Sequence, residues 1–248
     1  MSRTRATFFV VTAIGLASWA LISTERPTAS ADVPHPAAEE ATVSPADAMH
    51  RLVDGNERFV QEKMAAGHRD ASRRAELAGG QRPFAVVLGC ADSRVPPELV
   101  FDQGLGDLFV IRVAGEVAPA EVIGSIEYAL EHLGCRTVIV LGHERCGAVE
   151  AALKVPPGAV PPGNTGEMLK AVLAGIEKVD RSAPDALDTA VRSNAKAVAE
   201  TLVHHSTVIS EMAHRGDVVV TPARYDLDTG KVEFMPPVAA TPVVSGGH

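Results

Sequence analysis

Two short clusters in this chain could do chemistry together: Cys90-Ala91-Asp92-Ser93-Arg94 and His143-Glu144-Arg145-Cys146-Gly147. Thiolate sulfur and imidazole nitrogen are donors that zinc takes in a tetrahedral shell, and the spacing of His143 and Cys146 lets both side chains of one tight loop reach a single ion. Cys90 can add a third donor from a neighbouring segment. Two Cys and one His leave the fourth position to Asp92 or to water, and an open position is what separates a catalytic zinc from a structural one. Other readings compete. A Cys90–Cys146 disulfide leaves His143, Asp92 and Arg94 without a purpose, and a histidine-thiol nucleophile explains one cysteine and not two. A thiol-redox protein would want a Cys-X-X-Cys pair, which the sequence lacks. Cys135, between Gly134 and Arg136, reads as a small buried hydrophobe.

The elements that must position these clusters are legible from periodicity. Phe84 to Leu88 is an unbroken apolar run, β-branched in its middle and followed by Gly89, which predicts a buried strand; Leu108 to Val113 and Thr137 to Leu141 predict two more. Each cluster therefore follows a strand directly. Between them, Val122, Ile126, Ala129, Leu130 and Leu133 recur at helical spacing over Ala120 to Leu133, with Gly134 as the stop. Strand, helix and strand alternate, so the sheet should be parallel, with the clusters at strand carboxyl ends where open α/β sheets carry their sites. Ser44-Pro45 opens an earlier helix, Ser44 as N-cap and Pro45 at its first position, and a short helix runs from Ser72 to Gly79-Gly80. After a Pro/Gly loop over Lys154 to Gly166, helices are expected over Glu167 to Val179 and Asp185 to His205. A strand near Val218 to Tyr225 and an antiparallel edge strand over Val232 to Met235 close the domain.

Length and charge bound the rest. At 248 residues the chain accommodates one α/β domain, its 46% hydrophobic and 22% charged composition is that of a soluble globular protein, and a net charge of -8 argues against a nucleic-acid partner. Arg3 and Arg5 precede an uncharged apolar run from Ala6 to Ile22, and Ala29-Ser30-Ala31 suits signal-peptidase cleavage before Asp32. The expected organisation is a signal peptide over 1–31, a linker over 32–43, the domain over 44–235 and a flexible tail over 236–248. That leader implies a periplasmic or secreted protein, associated with a membrane only if the signal stays uncleaved. Three cysteines in an exported chain do not look like a disulfide framework.

The two clusters resemble the paired signature motifs of β-class carbonic anhydrases. Gly55-Asn56-Glu57-Arg58-Phe59, Phe101-Asp102-Gln103-Gly104, Gly124-Ser125-Ile126-Glu127-Tyr128 and Tyr225-Asp226-Leu227-Asp228-Thr229-Gly230 match the surrounding context. The resemblance spans about Ser44 to Met235 and implies a lyase that reversibly hydrates carbon dioxide to bicarbonate and a proton by attack of zinc-bound hydroxide. It implies Cys90, His143 and Cys146 as zinc ligands. Asp92 and Arg94 stand where the family has a dyad: the carboxylate accepts a hydrogen bond from the hydroxide, and the guanidinium keeps that carboxylate off the metal. Asp92 is the alternative fourth ligand in a closed state. Gln81, Phe109 and Tyr128 occupy positions that line the carbon dioxide pocket in some members. A homodimer or homotetramer is implied, with the helices around Ser44 to Met64 embracing a partner.

The chain departs from the family pattern at three places. Glu116 stands where many relatives have Asn, which points to an altered pocket rim or subunit contact, and Glu144 and Arg145 replace small residues inside the second motif. Bicarbonate-closed members carry Trp three residues before the first cysteine, where this chain has Val87, although Arg112, which they also use, is present. Two rivals share the residues: a zinc enzyme acting on a related small heterocumulene, and a non-catalytic structural zinc protein, which has no need of Arg94.

Overall fold

The structure is a computed structural model that describes residues 42–65, 67–159 and 161–239. The expected signal peptide, most of the linker and the end of the expected tail lie outside the described residues. Helix α1 (Pro45–Val60) starts where Ser44 caps it, the serine Oγ accepting from Asp47 N at 3.1 Å, with proline preset at its first turn. Helix α2 (Ala71–Leu77) is capped by Asp70, whose Oδ1 accepts from Arg73 N at 2.8 Å. Strand β1 (Ala85–Gly89), the short helix α3 (Pro97–Val100), strand β2 (Leu108–Arg112), helix α4 (Ala120–His132) and strand β3 (Thr137–His143) follow.

Helix α5 (Gly147–Leu153) starts directly after the second cluster, and α6 (Gly163–Gly175) precedes α7 (Ala186–His205), α8 (Thr207–His214), β4 (Val219–Tyr225) and β5 (Val232–Phe234). The sheet order is β2-β1-β3-β4-β5, parallel except for the antiparallel β4–β5 edge. The expected α/β class and antiparallel edge are therefore observed. Helix α6 starts and ends about four residues earlier than periodicity suggests. Pro162 supplies its N-cap, and Gly166 packs so tightly that a Cβ there would sit 1.9 Å from Pro161 O, which tucks the Pro/Gly stretch against the helix. Beyond β5 the chain still touches the sheet: Val238 N donates to Val220 O at 2.9 Å.

The apolar runs are unbroken because both faces of the sheet are covered. Val86, Leu88, Val138 and Val140 face the core built with α4, α7 and α8, while Ala85, Val87, Ile139 and Leu141 face α1 and α3. From β1 the chain crosses to β2 on one side, and β3 lies on the other, so a crevice opens at the carboxyl ends of β1 and β3. A third cluster, with Val149, Val172, Ile176 and Val191, closes that crevice from α5, α6 and α7 around Cys90 and Cys146.

One buried amide fastens α1 to the rest. Asn56 Nδ2 donates to Val100 O at 3.0 Å and to Gly230 O at 2.9 Å, and its Oδ1 accepts from Val232 N at 2.9 Å. Beside it, Gly55 lies so close to α3 that a Cβ would come within 1.9 Å of Phe101 O. Asn56→Ala should thus cost about 3 kcal/mol in urea unfolding, because one buried and two part-buried backbone groups lose their partner together. A loss under about 0.5 kcal/mol would mean that water replaces the amide.

Candidate metal centre

Cys90 follows β1 and His143 ends β3, so neighbouring parallel strands carry two of the three donors to the same edge. Arg145, in a left-handed conformation (φ 50°), turns the loop and brings Cys146 to the start of α5. Cys90, His143 and Cys146 are all buried, and their donor atoms lie within 4.8 Å of one another. All three cysteines of the chain are free thiols, and the Cys90 and Cys146 sulfurs stand 4.0 Å apart, which sets the disulfide reading aside.

The electrostatics of this cluster ask for a cation. The Cys90 thiol is drawn well below its usual range, chiefly by a hydrogen bond with Cys146, against burial and with help from His143 and Gly115 N. The same contact pushes Cys146 far up, since two sulfurs this close and this dry cannot both carry charge unaided. His143 is raised as well: burial opposes its charging, but the Cys90 sulfur outweighs it. Its Nδ1–H donates to Glu144 O at 2.9 Å, which fixes the tautomer and leaves the Nε2 lone pair free. Nε2 is buried without any hydrogen-bond partner. An orphaned imidazole nitrogen facing two thiols is the donor set that zinc takes, so the residues fit that ion.

Asp92 stands at the rim. Arg94 grips both its oxygens, Nε to Oδ1 at 2.9 Å and Nη2 to Oδ2 at 2.7 Å, and the Arg94 backbone N–H adds a third bond to Oδ1 at 3.0 Å. That pairing holds the Asp92 carboxyl well below the usual carboxylate range. Its Oδ2 remains 3.8 Å from His143 Nε2, beside the donors but turned to the guanidinium. Arg112 braces the loop below, Nε donating to Cys90 O at 3.1 Å.

Gln81, Phe109 and Tyr128 do not join this cluster within one chain. Phe109 pairs with Val86, four residues before Cys90, which is about 13 Å along the strand. Tyr128 packs on it with ring centroids 6.4 Å apart and is 39% exposed, while Gln81 is exposed ahead of β1.

The departures from the family pattern are integrated in other ways. Glu116 is at no rim: it is fully buried in the turn after β2, its Oε1 accepting from Asn194 Nδ2 at 2.8 Å, and burial pushes its carboxyl up to about 8 against that bond. Neither Glu116's burial nor Asn194 was legible from local sequence. Glu144 accepts from Leu227 N at 3.1 Å, and Arg145 pairs with Asp228 through two bonds, at 2.9 and 2.6 Å. Behind them Arg224, largely buried, binds Asp188 and Asp226, so a ladder of charges ties the second cluster to β4 and α7.

A family model described as carbonic anhydrase matches residues 85–232. Carbonic anhydrase 2 of Mycobacterium tuberculosis is 39% identical over 189 residues, covering 76% of this chain and 91% of the relative. A carbonic anhydrase of Mycolicibacterium smegmatis is 39% identical over 192 residues, covering 77% and 93%. Among solved structures, a β-carbonic anhydrase of Coccomyxa superposes with a TM-score of 0.62 at 29% identity, covering 76% of this chain and 87% of that one.

The charge ladder has a pH signature. Arg224 lowers Asp226 from 3.8 to about 2, so this pairing stabilises the fold fully above pH 3.8 and is lost as pH falls towards 2. Arg224→Met should weaken urea resistance at neutral pH by about 2 kcal/mol, less than a fully buried pair because the carboxylates are part-exposed, and should flatten the acid loss between those pH values. An unchanged acid limb would show that Arg224 does not set it.

Proposed function

Because the chain belongs to the β-class carbonic anhydrase family, we propose that Cys90, His143 and Cys146 hold one zinc ion and that the enzyme interconverts carbon dioxide and bicarbonate at it. The observation that carries this reading is the buried, unpartnered Nε2 of His143 facing two coupled thiols. When bound there, zinc supplies Lewis acidity that brings water towards ionisation near neutral pH, less far than with three neutral histidines because two thiolates cancel its charge.

The protein's own part is to keep one position open and to orient what enters it. Asp92 is the group that would close it, since a free carboxylate beside a divalent ion ligates that ion. The fork of Arg94 offers both Asp92 oxygens a competing partner of good geometry. Held as an ionised carboxylate, Asp92 can only accept, so it favours an oxygen that carries a hydrogen and aligns that O–H beside His143. His143 itself is held by Glu144 O and cannot rotate without losing that bond. A closed structural zinc site would use Asp92 or another fourth ligand; a carboxylate clamped away from the donors speaks for catalysis.

We place Gln81, Phe109 and Tyr128 in the pocket of a second copy. They lie far from their own chain's donors, and the Phe109–Tyr128 pair presents apolar surface outward. The working enzyme is then at least a dimer.

Arg94→Ala tests the reading. The variant should fold and retain about one zinc per chain by elemental analysis, yet lose carbon dioxide hydration by about 100-fold, with Arg94→Lys rescuing little because it lacks the planar fork. Wild-type hydration should rise through mildly alkaline pH. Wild-type turnover in Arg94→Ala, or full wild-type activity without metal, would overturn the proposal.

A further inference from the structure

Asn194 sits in the middle of α7, fully buried, and nothing in the proposed chemistry uses it. Its Nδ2 spans two acceptors on the turn after β2, Gly115 O at 2.9 Å and Glu116 Oε1 at 2.8 Å. The same turn sends its Gly115 N–H to Cys90 Sγ at 3.4 Å. Both turn residues are left-handed, Gly115 at φ 68° and Glu116 at φ 41°. For a buried non-glycine residue that conformation costs about 1 kcal/mol and persists only where the surroundings over-determine it.

The surroundings do so from several elements. A Cβ on Gly115 would meet Val172 Cγ2 of α6 at 2.8 Å; one on Gly142 of β3 would reach Glu116 Oε1 at 3.4 Å; one on Gly175 would reach Asn194 Oδ1 at 2.9 Å. Glycines thus leave the room that the acid–amide pair fills. The fold also carries the cost of two unpartnered buried oxygens, Glu116 Oε2 and Asn194 Oδ1. An apolar pair would fill the same space without that cost, so hydrogen bonding to the turn is what this pair adds.

We propose that Asn194 and Glu116 are positioning residues that clamp the Val113–Glu116 turn so that Gly115 N–H stays bonded to the Cys90 sulfur, tuning the strength of that sulfur as a metal donor. The inference rests on the metal reading above. An N–H bond to a thiolate draws electron density from the sulfur, and partners of this kind fix a ligand's orientation and change metal affinity when removed. The clamp links α7, distant in sequence, to the donor after β1.

Cobalt(II) loaded into the metal-depleted full-length protein reads the sulfur directly through its thiolate-to-metal charge-transfer band. Asn194→Leu should shift that band to longer wavelength and weaken zinc binding, measured by chelator competition, about tenfold or more. Asn194→Ser, smaller and unable to reach both acceptors, carries the same expectation should the leucine variant not fold. Glu116→Gln retains an Oε1 acceptor for Asn194 and should leave band and affinity close to wild type. Asn56→Ala, destabilising but remote from the site, should move neither. A wild-type band left in place by the Asn194 variants, or moved equally by Asn56→Ala, would overturn the positioning role alone. A wild type with no such band would overturn the metal reading and this inference with it.

Discussion

Two thiols and an imidazole held within 4.8 Å of one another in a buried pocket cannot all take their ligand forms unaided. Ionising Cys90 raises Cys146, and the histidine beside them is drawn toward a proton it would have to lose. A divalent cation removes this conflict in one step, by supplying the charge that both sulfurs and the imidazole lone pair need. The rest of the architecture works to hold the donors in that conflict. Parallel strands β1 and β3 fix two of them at one edge, the Arg145 turn returns the third, and apolar side chains of α5, α6 and α7 keep the pocket dry.

Around that cluster the fold sets two kinds of polar support, and they act differently. The Asp92–Arg94 pair lies at the rim, where a bidentate bond holds a carboxylate that would otherwise be free to reach an ion at the three donors. The Glu116–Asn194 pair lies behind, sealed from solvent, where each missing hydrogen bond is expensive and geometry is correspondingly rigid. Outside both, a ladder from Arg145 through Glu144 and Arg224 to Asp188 anchors the second cluster to β4 and α7. The Arg145 end of this ladder is exposed and contributes by fixing the loop more than by adding stability, whereas the largely buried Arg224 end does both.

Much of this was legible in the sequence because the strands are buried on both faces. Val86-Val87-Leu88 and Val138-Ile139-Val140-Leu141 read as strands from their unbroken apolar character, and the clusters placed directly after them share one edge of the sheet. The amphipathic stretch over α4 was equally plain. Less legible were features set by packing across the chain. Pro161-Pro162-Gly163 reads as loop, yet it starts α6 because Gly166 allows the chain to close on Pro161. Glu116 reads as part of a pocket rim or subunit contact, and only the burial of its left-handed turn reveals it as interior. Asn194 is one polar residue in an otherwise ordinary helix, with no local pattern to mark it. Helix α8 follows α7 after Ser206 alone, a serine whose Oγ accepts from Ile209 N at 3.0 Å.

The proposed zinc centre depends on a position kept open beside three protein donors, and zinc K-edge absorption on the dissolved wild-type protein would read that shell. Two sulfurs at about 2.3 Å and two lighter atoms at about 2.0–2.1 Å are expected, one from imidazole and one an oxygen that an added anion displaces. A shell with a single sulfur, or one in which the second light atom is unmoved by every added anion because Asp92 holds the metal at neutral pH, would contradict that proposal.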